Sequence, residues 1–284
     1  MGDQKVVLMT GCSTGIGFET ALLLARKGYR VFATMRDLKK AGPLKEASAG
    51  LPVEIMPLDV DRVPSVKKAV AAAVKKAGRI DVLVNNAGWG AFGALEEFSD
   101  EEIQAQYETN VFGLLRVTRA VLPVMRAQKS GRILHIGSLA GKMTFAGIGL
   151  YCSTKYAVEA ITEGLRLEVR PFNIEVAVVE PGKIQTVFGA NRRKSKIFIE
   201  KKSAYQRELE RILFFGDHPA SAAPGPDRVA ETVLKALQAS RMAVRYPVGR
   251  DAVGYPLIRW FLPDFIFDWV LQNRYSRFQK EGPP

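Results

Sequence analysis

The sequence predicts a single α/β domain built on a doubly wound parallel sheet of the Rossmann type. Two observations lead to this fold class. Short β-branched, apolar runs alternate with longer amphipathic segments, and a glycine-rich turn follows the first run. Several runs are apolar almost throughout, which is typical of parallel strands covered on both faces. Strands joined by helices in this way pair through right-handed crossovers, and ligands bind beyond their carboxyl ends.

Six strands and four helices are predicted in the first two thirds of the chain. The strands are Val6–Thr10, Arg30–Thr34, Val53–Leu58, Val82–Asn85, Arg132–Ile136 and Glu175–Val179. The helices, each with one apolar face, are Gly17–Lys27, Pro64–Ala77, Asp100–Gln128 and Tyr151–Pro171. This alternation places the carboxyl ends of all six strands along one edge of the sheet.

The alternation ends after residue 182. Residues 187–225 are expected to form a substrate lid that contains one helix, Ala204–Phe215. A further helix over Asp227–Ser240 and a short run, Ala243–Tyr246, come next. Because no internal repeat or convincing boundary is found, residues 1–284 are taken as one domain.

The last segment, residues 253–284, is a hydrophobic tail rich in aromatic residues. Apolar side chains recur four residues apart, which predicts one broad apolar face: Leu257, Ile258, Phe261, Leu262, Phe265 and Ile266. Pro263 predicts two short helices with a bend rather than one rod. Arg259, Asp264 and Asp268 argue against a membrane span. Burial against the lid, or in the interface of a homodimer or homotetramer, is favoured over docking on a lipid surface.

Composition excludes several classes of protein. The two cysteines, Cys12 and Cys152, do not form a disulfide framework, and His135 and His218 are too few for a metal site, so none is expected. No signal peptide is recognised, which favours a cytoplasmic location. The net charge of +12 is concentrated in residues 192–211, where eight Lys/Arg face three Glu.

This basic segment is interpreted mainly as a solvated face that also suits an anionic cofactor. No stacking-aromatic or recognition-helix pattern accompanies it, so nucleic acid is not an expected partner. An anionic membrane surface or an acidic substrate is the remaining alternative.

A glycine-rich turn, Thr10–Gly17, joins the first predicted strand to the first helix. Glycines there permit a tight turn and let backbone N–H groups approach a pyrophosphate at the helix N-terminus. The hydroxyl groups of Ser13 and Thr14 are candidate donors. Arg36 stands at the end of the second strand, where a cation favours a 2′-phosphate, while Asp37 comes one place late for a ribose hydroxyl. The expected cofactor is therefore NADP(H).

Two asparagine-containing motifs follow. Asn85-Asn86-Ala87-Gly88 closes the fourth strand as a polar turn. Asn110 lies inside a long apolar helix, where its side chain competes for backbone hydrogen bonds. That position predicts either a bulge in the helix or a buried polar network.

The strongest chemical signal is the combination of Ser138, Tyr151 and Lys155. Ser138 follows the fifth strand, and Tyr151 and Lys155 share one helix face because they are four residues apart. A phenol titrates near 10 and needs a neighbouring cation to act as a base near neutral pH. Ser138 is suited to hold a substrate oxygen beside the phenol.

With these motifs the chain resembles the short-chain dehydrogenase/reductase family from about Lys5 to about Thr186. The motifs are the Thr-Gly-x-x-x-Gly-Ile-Gly turn at 10–17, Asn-Asn-Ala-Gly at 85–88, Asn110, Ser138, Tyr-x-x-x-Lys at 151–155 and Pro181-Gly182. Together with residues 31–38, the turn looks most like the 17β-hydroxysteroid and retinol dehydrogenase branch.

The resemblance implies a role for each site residue. Tyr151 is implied as general acid or base, Lys155 as a ribose ligand that lowers the pKa of Tyr151, and Asn110 as holder of a water in a proton relay. Ser138 is implied to orient the carbonyl. The implied cofactor-binding residues are Gly11, Ser13, Thr14, Gly15, Ile16, Gly17, Arg36, Asp59, Val60, Asn86, Ala87, Gly88, Tyr151, Lys155, Pro181, Gly182, Ile184 and Thr186.

The expected reaction is NADP(H)-dependent interconversion of a hydrophobic ketone or aldehyde and its alcohol, with steroid- or retinoid-like substrates possible. Apolar residues occupy the candidate pocket positions: Trp89, Phe92, Met143, Phe145, Phe188, Phe214 and Phe215. Two alternatives stay open: a non-catalytic NADP-binding sensor or scaffold, and a variant of the same enzyme associated with a membrane surface.

Overall fold

The computed structural model describes residues 4–186, 188, 189, 192–217, 223–269 and 273, without the side chains of 214–217. Along the first half the elements are β1 (Val6–Met9), α1 (Gly15–Arg26), β2 (Arg30–Met35), α2 (Gly42–Ala47), β3 (Val53–Pro57), α3 (Val63–Ala77), β4 (Val82–Asn85), β5 (Ala91–Phe92), α4 (Asp100–Tyr107) and α5 (Leu114–Gln128). In the second half they are β6 (Gly131–Ile136), α6 (Gly149–Glu168), β7 (Ile174–Pro181), β8 (Arg193–Lys194), α7 (Lys196–Ile199), α8 (Gln206–Asp217), α9 (Pro226–Gln238), β9 (Arg245–Val248) and α10 (Arg250–Phe261).

Seven strands of the described chain form one parallel sheet, in the order β3-β2-β1-β4-β6-β7-β9. Val7 of β1 pairs with Val31 of β2 on one side and with Val82 of β4 on the other. The chain winds outward from β1 to β3 and then crosses back to β4, so the winding direction reverses between β1 and β4. A crevice opens at such a switch point, at the carboxyl ends of the two strands.

Helices cover both faces of the sheet and bury the apolar strands. One core joins β1, β2 and β4 to α1 and α9 through residues such as Leu24 and Val233, both fully buried. The other core joins the opposite face to α3 and α5 through residues such as Val70 and Val121. Strands buried on both sides explain the apolar runs of the sequence, and the predicted doubly wound fold is confirmed.

The predicted helices differ from the observed ones at two places. The helix predicted over 100–128 is divided into α4, a π-helix over Glu108–Gly113, and α5. The helix predicted over 151–171 ends at Glu168 and is followed by a 3₁₀ turn over Arg170–Phe172. Pro171 lacks the N–H that a continuing helix needs.

The last third of the chain adds a second, small sheet that was not predicted and two tail helices that were. β8 pairs with β5 in a small parallel sheet beside the main one, so a part of the predicted lid is tied to the segment after β4. The tail forms two helices, α10 and residues 264–269, on either side of Pro263, in agreement with the predicted bend. None of the described helices has both the length and the apolar character that a bilayer span requires.

Candidate active site

The first turn and the turn after β4 are locked together at the crevice. Asn86 Nδ2 donates to the carbonyl oxygens of Thr10 and Gly11, at 3.0 and 2.9 Å. Thr10 Oγ1 in return accepts from the backbone N–H groups of Asn86 and Ala87, both at 3.0 Å. A side chain at position 17 would lie 2.3 Å from the Gly11 carbonyl oxygen, so only glycine permits this approach. Asn86 therefore holds the first turn and the turn after β4 together. The sequence alone did not reveal this role.

The N-terminus of α1 faces this crevice with its hydroxyl-bearing residues. Thr14 is the N-cap of α1, and its side chain makes no capping hydrogen bond. Gly15 has a φ of +60°, and a side chain there would lie 3.7 Å from Thr186 Cβ. Gly15 thus meets Thr186 across the crevice, while Ile16 packs into the core below. Free N–H groups and a positive dipole end make this a suitable site for an anion.

The far end of the crevice, beyond β2 and β3, is more open. Arg36 is 61% exposed, and its guanidinium lies 4.0 Å from the Asp61 carboxylate. Asp37 caps a 3₁₀ turn, where its Oδ1 accepts from the N–H of Lys39 at 3.0 Å. Asp59 Oδ1 accepts from the N–H of Asp61 at 3.2 Å. Val60 is buried against Gly113, and its carbonyl oxygen accepts from Arg116 Nη1 at 3.4 Å.

Asn110 lies in the π-helix and is 3% exposed. Its amide donates to the carbonyl oxygen of Trp89 at 2.9 Å and to Thr154 Oγ1 at 3.1 Å, and it accepts from the N–H of Trp89 at 3.1 Å. Both alternatives predicted from the sequence, a bulge and a buried polar network, are present. The π-helix lets Asn110 connect the Gly88 turn to α6. The water relay implied by the resemblance stays a prediction.

Ser138, Tyr151 and Lys155 come together at the carboxyl ends of β6 and β7. The Ser138 hydroxyl lies close enough to the Tyr151 phenol to affect its pKa, and it donates to the carbonyl oxygen of Pro181 at 3.4 Å. Lys155 is 8% exposed, and its Nζ lies 5.8 Å from the centre of the Tyr151 ring. Nζ donates to the carbonyl oxygen of Ile136 at 2.7 Å, which fixes the long side chain beside the phenol.

Burial dominates the acid–base properties of this group. Desolvation raises the pKa of the Tyr151 phenol above its ordinary value, and the hydrogen bond with Ser138 opposes that shift. Desolvation lowers the pKa of Lys155 to about 8, against the opposing charge of Glu159. His135, close by on β6, has its pKa lowered to about 3 by burial and by Lys155, and it stays neutral.

The turn after β7 is held by the C-terminal segment. The N–H of Gly182 donates to the carbonyl oxygen of Val248 at 2.9 Å, and the N–H of Lys183 donates to Asp251 Oδ2 at 2.6 Å. Ile184 packs on the core beside α1. Asp251 was missed by sequence reasoning, because nothing near it along the chain marks its contact with residues 182–183.

The described part of the predicted lid covers the catalytic group. The Phe188 ring lies 5.5 Å from the Tyr151 ring, and the Arg193 guanidinium stacks 4.1 Å above Trp89. Phe92 differs from its predicted pocket position: it is fully buried against Phe198, since β5 pairs with β8 at this point. The side chains of residues 214 and 215 lie outside the described residues.

Comparisons with known sequences agree with this geometry. The sequence pattern of the short chain dehydrogenase family matches residues 5–197. Estradiol 17-beta-dehydrogenase 1 of Rattus norvegicus is 38% identical over 261 residues, which are 86% of this chain and 73% of that protein. The 3-ketodihydrosphingosine reductase of Bacteroides thetaiotaomicron is 33% identical over 275 residues, 96% of this chain and 99% of that protein.

Solved structures show the same architecture. A short-chain dehydrogenase from Streptomyces avermitilis is similar with a TM-score of 0.80 and 33% identity, over 96% of this chain and 98% of that one. A point variant of actinorhodin polyketide ketoreductase, solved with NADPH, has a TM-score of 0.75 and 31% identity, over 90% of this chain and 99% of that one.

Proposed function

The chain belongs to the short chain dehydrogenase family, and from that premise we propose that it is an NADP(H)-dependent oxidoreductase acting on a hydrophobic ketone or aldehyde and its alcohol. The observation that supports this reaction most directly is the meeting of Ser138, Tyr151 and the buried Lys155, whose Nζ lies 5.8 Å from the centre of the Tyr151 ring. The three residues stand at the carboxyl edge of the sheet, where ligands bind in this fold class.

In the proposed mechanism, bound nicotinamide supplies or accepts the hydride at the carbonyl carbon. In the reduction direction, the Tyr151 phenol donates its proton to the carbonyl oxygen. The Ser138 hydroxyl donates a hydrogen bond to the same oxygen and stabilises the negative charge that develops there. The Lys155 ammonium favours the phenolate that remains, and oxidation follows the same path in reverse.

The crevice suits a dinucleotide with an extra phosphate. A Cβ at position 11 would collide with the backbone of Ala87, and one at position 17 with the backbone of Gly11. The two glycines therefore leave room for a pyrophosphate beside the N-terminus of α1. At the far end Arg36 is exposed, whereas Asp37 is occupied as a cap. Because the Arg36 guanidinium is accessible and the Asp37 carboxylate caps a turn, the pair favours NADP(H) over NAD(H). Asp59, Val60, Asn86–Gly88, Pro181 and Gly182, with Ile184 and Thr186, complete the proposed cofactor site.

The apolar surroundings of Tyr151 support a hydrophobic substrate. Phe188 contacts the Tyr151 ring, and Met143 and Phe145 pack beside Leu139, on the loop that leads from Ser138 to α6. The names of two relatives refer to estradiol and to 3-ketodihydrosphingosine. We therefore favour a substrate whose carbonyl or hydroxyl stands on an otherwise apolar body.

Residues 187–225 are proposed as the substrate lid of a single domain, and the tail as a part of its support or of a subunit interface. Phe267 of the tail is 7% exposed against Leu139 and Met143, so the tail touches the loop that carries Ser138. A homodimer or homotetramer in the cytoplasm is the proposed working form. The two cysteines, both buried and unpaired, are compatible with a reducing compartment.

The decisive experiment is a panel of ketones, aldehydes and alcohols assayed with both nicotinamide cofactors, using the wild type and two variants. Tyr151→Phe should lower kcat by about 10²- to 10⁴-fold, because it removes the transferable proton, while cofactor binding is retained. Tyr156→Phe is the matched control, since Tyr156 lies on the same helix but is exposed. Near-native kcat in Tyr151→Phe would refute the acid–base role. Cofactor binding without turnover of any substrate would favour the sensor or scaffold.

A further inference from the structure

A buried cluster of charges lies beneath the catalytic group and takes no part in the mechanism above. Glu159 of α6 and Glu180 of β7 are 7% and 5% exposed. Lys142 Nζ lies 3.3 Å from Glu159 Oε2 and 3.4 Å from Glu180 Oε1. Arg245 Nε lies 3.1 and 3.3 Å from the same two oxygens. The two carboxyl groups therefore converge on one pair of cations.

Glu159 Oε1 is buried without a hydrogen-bond partner, and Glu180 Oε1 has only its ion-pair contacts with Lys142 and Arg245. The two carboxyl groups are neighbours, because Lys142 Nζ and Arg245 Nε each lie within 3.4 Å of an oxygen of both. Ionised carboxylates only accept, so two of them would leave Glu159 Oε1 without a donor, and the two negative charges would repel each other. One proton held between them would supply the missing donor and remove the repulsion.

The position of this pair connects it to every part of the catalytic group. Glu159 follows Lys155 by one helical turn, and Glu180 precedes Pro181, whose carbonyl oxygen lies 3.4 Å from Ser138 Oγ. Gly141, on the loop after Ser138, packs so closely on α6 that a Cβ there would lie 2.8 Å from the Lys155 carbonyl oxygen. A change in the spacing of the two carboxyl groups would therefore move these segments relative to one another.

We propose that Glu159 and Glu180 are positioning residues that hold one proton in common, and that this proton keeps Ser138, Lys155 and the Pro181 turn in their working arrangement. Neither carboxyl group is assigned a contact with the reacting atoms. The pair acts through its neighbours, and the catalytic part of this inference rests on the proposed function.

The charges around the pair allow it to titrate near neutrality. Lys142 faces it from the loop after Ser138, Arg245 from β9, and Glu163 shares Arg245 on the outer side of α6. Lys155 on α6 and the neutral His135 on β6 complete the titratable groups nearby. Burial, followed by the charge of Glu159, raises the pKa of Glu180 from 4.5 to about 7, against the opposing charge of Lys142.

The sign of the pH effect follows from this shift. Between pH 4.5 and about 7 the folded chain holds a proton that the unfolded chain has lost. The stability contributed by this group is therefore greatest below pH 4.5 and is lost as the pH rises through 7. Over the same range the pair gains a second negative charge, and we expect kcat for carbonyl reduction to fall in a step near pH 7.

Infrared spectroscopy and kinetics test the two parts of the proposal separately. The wild type should show a protonated-carboxyl band near pH 6 that disappears by pH 8.5, and Glu180→Gln should lack this band. Glutamine imitates the protonated acid, so this variant should retain its kcat at pH 6 and lose the step near pH 7. Glu159→Gln serves as a second variant if Glu180→Gln does not fold. Glu163→Gln is the matched control, because Glu163 is exposed but contacts the same arginine, and it should retain both the band and the step.

Each contrary result has a distinct meaning. A wild-type spectrum without a protonated carboxyl at pH 6 would overturn the shared proton. A band that titrates, with a step in kcat unchanged in Glu180→Gln, would overturn the positioning role. A chain that turns over no substrate would refute the proposed function, and the infrared band would still decide whether the proton is shared.

Discussion

The sheet with its flanking helices and the tail, residues 250–269, place most of their aromatic side chains in opposite surroundings. In the first region Phe32 and Phe92 are fully buried, Asn110 makes three side-chain hydrogen bonds, and Lys155 Nζ donates to the Ile136 carbonyl oxygen. In the second region Trp260, Phe261 and Phe265 are 78%, 71% and 74% exposed. The first region completes its own contacts, whereas the second leaves an apolar surface for something else to cover.

We expect the same difference to separate the residues that carry out the proposed reaction from those that select the substrate. The sheet edges of the first region hold polar atoms in place before any ligand arrives, which is the condition for efficient acid–base and electrostatic catalysis. The second region touches the site through Phe267 on the Ser138 loop and through Asp251 on the turn after β7. Changes in the first region should therefore alter rate and cofactor choice, and changes in the second should alter affinity and assembly.

The largest effect is expected from Lys155→Met, which removes a buried charge but little volume. Because the phenol loses its cationic neighbour, the pKa of Tyr151 in the ternary complex should rise by about one unit or more. The alkaline limb of the oxidation rate should move to higher pH by the same amount, and kcat near neutrality should fall by about 10²-fold. The pH–rate profile and the melting temperature, measured together, separate this effect from misfolding. An unchanged profile would show that Lys155 has no electrostatic role.

A smaller effect is expected from Arg36→Asp, at the exposed end of the same crevice. A charge-assisted bond to a phosphate is worth roughly 1.5–3 kcal/mol, and solvent exposure places Arg36 at the lower end of that range. The kcat/KM for NADPH should fall by about tenfold, while the value for NADH stays level or rises. Lys67→Asp, an exposed charge reversal on α3, is the control. If the ratio of the two kcat/KM values is the same in both variants, Arg36 does not select the cofactor.

The smallest effect on chemistry is expected from deletion of residues 253–284. The Rossmann core should remain folded, because its two apolar clusters include none of these residues. KM for apolar substrates should rise several-fold or the oligomer should dissociate, as measured by steady-state kinetics and light scattering. A double variant, Trp260→Ser with Phe261→Ser, keeps the buried Phe267 contact and should reproduce only the dissociation. Native KM and oligomer size with loss of vesicle binding would instead show that the tail binds lipid.

A feature could be predicted from the sequence when its signal lies within one helix or strand or at its end. Strands β1 to β7, apart from β5, and their helices follow from local periodicity, and Ser138, Tyr151 and Lys155 follow from spacing on elements that were already placed. The Asn110 bulge was predictable because a polar residue inside an apolar helix requires a local reason. These signals lie within one element or at its end.

The features that were missed depend on pairs of residues far apart in the chain. The pairing of β5 with β8 brings residues about 100 positions apart together, and each strand has only two residues, too few for a period. Asp251 reaches Lys183 from a different element, and Glu159 and Glu180 meet only once α6 lies beside β7. No local pattern distinguishes these residues from solvated surface charges.

The π-helix that carries Asn110 has a consequence for changes in chain length. Its wider turn accommodates one residue more than an α-helical turn, so loss of one residue there would let α4 and α5 merge without rotating the buried face of α5. Phe112 is 47% exposed, and its excision would cost little packing. Deletion of one residue inside a helix usually destabilises the fold. Here we expect the protein to stay folded, while Asn110 no longer reaches Thr154. Along this stretch the length of the chain, together with the Asn110 amide, decides whether the proposed catalytic site is assembled.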